Sequence, residues 1–213
     1  MEDWNIIQKI AIYAIPVLFA ITVHEASHGY AAKHFGDRTA EMEGRLSLNP
    51  LRHIDLFGTI IVPALALLLG GFLFGWAKPV PVDFRNLRSP KRDMMWVAAA
   101  GPASNLAMAF FWGLMLNLAH GLDGNSFQMP MAYMAQAGIQ INVVLMVLNL
   151  LPLPPLDGGR ILVSLLPNRA AYTVSRIEPY GMFILIALIF TGVLTKIMLP
   201  FIALTYGLLG LIL

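Results

Sequence analysis

Long apolar runs separated by short polar stretches set the pattern of this chain. Five runs are long enough to be read as membrane-crossing helices, which take about 20 residues each. They are about Ile6–Ala32, Met94 to His120, Met131–Leu151, Tyr180–Met198 and Pro200–Leu213. Pro200 reads as the break between the last two, whose short connection makes them antiparallel neighbours. A further run, Leu56–Trp76, is apolar throughout but interrupted by Gly70-Gly71 and Gly75. It predicts either a sixth helix or a re-entrant segment, since non-helical backbone at that depth needs cover from protein or a watery cavity. The expected fold is an all-α integral-membrane helix bundle of about five full spans plus that segment. One domain, 1–213, is expected, with a core over 6–165 and a C-terminal helix pair over 179–213.

Composition supports this reading. The chain has 213 residues, of which 58% are hydrophobic and 12% charged, and its mean hydropathy is +0.70. Soluble domains carry roughly 25% charged residues, so much of the usual solvating surface is missing and the lipid bilayer is the expected surrounding. A net charge of +2 is too small to suggest nucleic acid. The absence of cysteine excludes disulfides and thiolate metal sites. The acidic start, Met1-Glu2-Asp3-Trp4-Asn5, is unlike a secretory signal, so the first run is expected to stay as a membrane helix.

Candidate chemistry lies in His24-Glu25-Ala26-Ser27-His28. Residues four apart on a helix differ by about 40° of rotation, so His24 and His28 can share one Zn²⁺. Glu25 then reaches the open side of the metal and serves as general base, not as a ligand. Short His-Glu-x-x-His patterns also occur by chance on surface helices. Here three ionisable groups sit in an apolar segment, where each costs a few kcal/mol unless it is used.

A catalytic zinc takes three protein ligands and keeps a fourth position open. His34 offers metzincin-like spacing, but that pattern needs glycine where this chain has Ala31. With the helix continuing, His34 is swung about 240° from His28. Asp157 is the better candidate. It follows a proline-rich helix end, Asn149-Leu150-Leu151-Pro152-Leu153-Pro154-Pro155-Leu156, and precedes Gly158-Gly159, which permit a tight turn. The alternative is a solvated loop acid. His53, in Arg52-His53-Ile54-Asp55, reads either as a group near the substrate or as an interface histidine paired with Asp55.

Taken together, His24-Glu25-x-x-His28, Gly101-Pro102-x-x-Asn105 and Asn149-x-x-Pro152-x-x-x-Leu156-Asp157-Gly158 resemble the motifs of the site-2 protease family, intramembrane zinc metalloproteases. The resemblance covers about residues 6–165, and Gly75 to Val82 is similar to the compact subgroup without a PDZ or CBS module. It implies His24, His28 and Asp157 as zinc ligands, Glu25 as catalytic acid and base, and Asn149 and Asn105 near the substrate. The implied activity is hydrolysis of peptide bonds within or near transmembrane segments, with a transmembrane protein as substrate.

Ligand placement constrains topology. The histidines end the first span and Asp157 follows the third core span, so all three meet at one ion only if those spans are parallel. A re-entrant Leu56–Trp76 makes them parallel. It also puts Lys33, Arg38, Arg45, Arg52, Lys78, Arg85, Arg88, Lys91, Arg92, Arg160, Arg169 and Arg176 on one side, opposite the Gly121–Pro130 connection, which has no Lys or Arg. Cytoplasmic loops carry such an excess. The expectation is a plasma-membrane protein with its N-terminus outside and its active site towards the cytoplasm.

The stretch from Trp76 to Val82 is expected to form part of a small β-hairpin near the active site. Pro79 and Pro81 remove two N–H groups from one strand edge, leaving the Val80 and Val82 donors for an extended substrate added as a strand. A rigid connecting loop is the alternative. Asn149, Asn105 and Asn142 are candidate linings of a hydrophilic cavity, Asn142 equally a source of interhelical hydrogen bonds. The rival function is a zinc-binding membrane protein without proteolysis, a transporter or an inactive scaffold. Against it, the ionisable cluster is confined to one depth and Glu25 is intact.

Overall fold

The structure, a computed structural model, describes residues 6–61 and 78–212. The chain forms α1 (Ile6–Phe35), the short α2 (Thr39–Met42), α3 (Pro90–His120), α4 (Gln128–Asn149), α5 (Asp157–Leu165), α6 (Asn168–Ser175), α7 (Glu178–Phe190) and α8 (Val193–Ile212). Single helical turns at Pro50–Arg52 and Phe84–Asn86 punctuate the polar connections. A π-helical turn, Leu56–Ile61, opens the ambiguous apolar run. The rest of that run, on which its path depends, lies outside the described residues.

Three of the described helices, α3, α4 and α8, are long and apolar enough to cross a membrane. A fourth candidate is the α6–α7 pair, bent by 59°. With 13 residues, α7 alone reaches about 20 Å, short of the roughly 30 Å hydrocarbon core. Large apolar side chains such as Phe111, Leu118, Phe183 and Phe190 face outward. A surface of that kind belongs in lipid, and the chain is an integral membrane protein.

The pattern misplaces one break. Pro200 lies inside α8, and the chain turns instead after Thr191, at Gly192 with φ +69°. Glycine takes this left-handed backbone without steric cost, whereas a proline in a bundled membrane helix is tolerated because neighbours re-satisfy the freed backbone groups.

The β-hairpin is also corrected: no strand occurs among the described residues. Pro79 and Pro81 take two donors out of any ladder, and the Val80 N–H is engaged by a side chain, Glu25 Oε2, at 2.8 Å. From Lys78 the segment runs as extended connection and not as paired strand. Its start is fastened to the far side of the apolar run by Lys78 N–H donating to the His53 carbonyl at 2.9 Å.

At the centre, α3 packs against α1, α4 and α5, and α1 also packs against α4. The apolar core joins α3, α4, α7 and α8 through Trp112, Ile139, Val143, Met146, Leu185 and Met198. This packing carries the turn after α4 to the polar end of α1.

Candidate metal centre and active site

The i, i+4 spacing does what the helix requires. His24 and His28 stand on one face of α1 with ring centroids 4.7 Å apart, and Asp157 opens α5 opposite them. The His24 Nε2 and His28 Nε2 atoms are 3.1 Å apart, and Asp157 Oδ2 lies 3.2 Å from the first and 3.3 Å from the second. Four-coordinate zinc with bonds of about 2.0–2.1 Å has ligand atoms roughly 3.3–3.4 Å apart. The three atoms therefore stand close to the corners of one face of such a tetrahedron.

The hydrogen bonds behind the rings point the same way. His28 Nδ1 is 2.8 Å from the Val97 carbonyl, an acceptor, so Nδ1 carries the proton and Nε2 presents its lone pair. His24 Nδ1 is 2.6 Å from Asn105 Oδ1 and is fixed likewise. Two imidazole lone pairs and a buried carboxylate oxygen without a hydrogen-bond donor converge on one point. That arrangement is costly unless a cation sits among them, and this donor set suits zinc.

Glycines make the approach possible. At Gly101 a Cβ would lie 2.5 Å from His28 Nε2 and 2.6 Å from His24 Cε1, so only glycine lets α3 pass this close. Beneath the acid, a Cβ at Gly158 would meet the Leu150 carbonyl at 2.3 Å and one at Gly159 would meet Pro154 N at 2.3 Å. The turn after α4 folds tightly onto α5, and Asp157 is aimed inward.

These groups open on a cavity of about 300 Å³ lined by His24, Glu25, His28, Pro79, Val80, Val82, Phe84, Val97, Ala98, Asn149, Pro155, Asp157 and Arg160. Glu25, Val80, Val82 and Asn149 are thus gathered beside His24, His28 and Asp157 on the wall of one cavity. Asn105 is not. It is fully buried, one layer behind His24. His34 is exposed on the other side of α1, its ring against Phe35, and takes no part. His53 is buried with Nε2 at 2.8 Å from the Ser47 carbonyl. Sequence reasoning missed the Val97 carbonyl, the close pass at Gly101, and Arg160, whose guanidinium lies 5.2 Å above the Phe84 ring. Only Gly101 left a signal, as it stands four residues before Asn105 on the same helical face.

Comparison with known proteins agrees with this geometry. Residues 113–192 match the family model of peptidase family M50. The chain is 40% identical over 189 residues to "Putative zinc metalloprotease YwhC" of Bacillus subtilis (strain 168), covering 87% of this chain and 83% of that protein. It is 31% identical over 180 residues to "Putative zinc metalloprotease Rip2" of Mycolicibacterium smegmatis, covering 84% and 66%. No solved structure matches significantly. The class is that of the membrane zinc metalloproteases, with Zn²⁺ as the metal. Within it the chain belongs to peptidase family M50, the site-2 proteases.

Proposed function

We propose that this enzyme hydrolyses peptide bonds within or near transmembrane segments of membrane proteins, with His24, His28 and Asp157 holding one Zn²⁺ and Glu25 as acid and base. The observation that carries this reading is a non-ligand carboxylate, Glu25, beside three convergent ligand atoms in a cavity walled by apolar helices. Zinc, when bound, supplies Lewis acidity and brings water near neutral pKa.

The chain's own groups do the rest. Glu25 takes a proton from the attacking water and returns it to the leaving amine. Its Oε2 accepts the Val80 N–H, which fixes the carboxylate's direction. Asn149 and Val82, on the cavity wall, contact the substrate backbone. Val80 donates to substrate only by releasing Glu25, so strand addition at Val80 competes with the bond that orients the general base. Asn105 stands behind the metal side, where the buried layer supports His24.

The orientation follows from charge. The Lys78 N–H donates to the His53 carbonyl, so Arg52 and Lys78 stand at one level, and the basic segments share the cytoplasmic side. Five crossings result, by α1, α3, α4, the α6–α7 pair and α8. The N-terminus is outside the plasma membrane, and 1–213 is one protease domain.

The test is co-expression with single-span membrane proteins, comparing wild type with Glu25→Gln. The variant should bind zinc at wild-type stoichiometry and lose at least about 100-fold of cleavage, the lower end of general acid–base contributions. A Gln variant that cleaves normally removes Glu25 from the mechanism.

A further inference from the structure

Behind His24 the bundle buries two amides completely. Asn105 on α3 and Asn142 on α4 are both 0% exposed. A buried amide without partners costs several kcal/mol, so their pairing needs explanation. His24 Nδ1 lies 2.6 Å from Asn105 Oδ1. Asn105 Nδ2 donates to Asn142 Oδ1 at 2.9 Å and to the Ala20 carbonyl at 3.3 Å. Asn142 Nδ2 donates to the Gly138 carbonyl at 2.8 Å.

This chain of bonds has only one self-consistent direction. The Gly138 carbonyl can only accept, so Asn142 must turn its NH₂ to it and its oxygen to Asn105. Asn105 must then present its NH₂ to Asn142. The Ala20 carbonyl, on a different helix, demands the same orientation independently. The Asn105 oxygen is left facing His24 Nδ1, which must carry the proton. Two backbone carbonyls on α1 and α4 thereby dictate, through two amides, which nitrogen of His24 is bare.

We propose that Asn105 and Asn142 are positioning residues of the metal centre, forming a two-amide relay that fixes the His24 tautomer and aims its Nε2 lone pair at the metal. The inference rests on His24 being a metal ligand. It gives Asn105 a role away from substrate, and gives Asn142 one beyond holding helices together. Partners behind a ligating histidine commonly set metal affinity by 10–100-fold.

Zinc affinity by chelator competition, with the visible spectrum of the Co²⁺-loaded protein, tests it on the full chain. Asn105→Leu should weaken zinc by about 10–100-fold and alter the Co²⁺ bands. Asn142→Leu should weaken zinc in the wild-type background and have no further effect in the Asn105→Leu background, because Asn142 acts on His24 only through Asn105. If leucine at 142 prevents folding, Asn142→Ala in the same two backgrounds carries the comparison. A relay without function would leave zinc affinity and the Co²⁺ spectrum unchanged by Asn142 substitution, lowering only thermal stability, or would give equal losses in both backgrounds; either result overturns the proposal. His24→Ala separates the premise: if zinc binding survives that change, the ligand assignment itself has failed.

Discussion

At Gly101, one hydrogen atom in place of a methyl group determines how closely α3 can approach His24 and His28. A methyl there would stand 2.5 Å from His28 Nε2, so Gly101→Ala must push α3 or the ring aside. Overpacking of this kind costs about 1–3 kcal/mol, and here the cost falls on ligand geometry. The expected outcome is zinc binding weakened by roughly tenfold or more, measured by metal content after dialysis against a graded chelator, with secondary structure unchanged. Asp157→Ala removes the proposed third ligand and should leave the purified protein largely without zinc. Unchanged metal content in that variant would return attention to His34 and His53. Both predictions concern single atoms, and the sequence exposes only part of their basis. Asp157 could be found because prolines and glycines bracket it. The Val97 carbonyl could not, because a backbone acceptor has no residue type to announce it.

The connection between α1 and α3 depends on one buried acid. Asp37 Oδ1 accepts from the Thr39 backbone and hydroxyl and from Asn86 Nδ2, and Oδ2 accepts the Asp83 N–H at 2.8 Å. Arg88 closes the end of α1 by donating to the Phe35 and His34 carbonyls. Burial pushes the Asp37 carboxyl up, but the hydrogen bonds from Thr39, Asp83 and Asn86 outweigh it and hold the group below its usual value. A depressed carboxyl stabilises the fold above its unfolded pKa, about 3.9, and loses that contribution as pH falls through the folded value. Asp37→Asn should therefore cost about 1–3 kcal/mol at neutral pH and flatten the loss of thermal stability below pH 4. A variant as stable as wild type at pH 7 would show that the junction does not depend on the charge. At this scale the sequence was partly legible. The i, i+4 histidines and the long apolar periods were readable because a helix imposes them locally. The helix break at Gly192 and the absence of strand at Val80 were not. Both depend on partners distant in the chain, and Val80 gives its N–H to a carboxylate 55 residues away.

For the whole molecule, the arrangement of charge is the feature that composition hides and order reveals. A net charge of only +2 conceals basic segments on both sides of the apolar run and a connection, Gly121–Pro130, that carries none. The hydrogen bond between His53 and Lys78 ties the two basic segments to one level, so a single assignment orients everything. If the excess of Lys and Arg faces the cytoplasm, then Ser126 between α3 and α4 is outside and Glu43 between α1 and α3 is inside. The chain contains no cysteine, so Ser126→Cys and Glu43→Cys each create one thiol, at exposed positions. A membrane-impermeant maleimide should label Ser126→Cys on intact cells and Glu43→Cys only after lysis. The reverse pattern would invert the orientation while keeping the bundle. Labelling of both from outside would place an even number of crossings between them. The parallel arrangement of α1 and α4, by which Asp157 reaches the histidines, would then need a different path between Glu43 and Ser126.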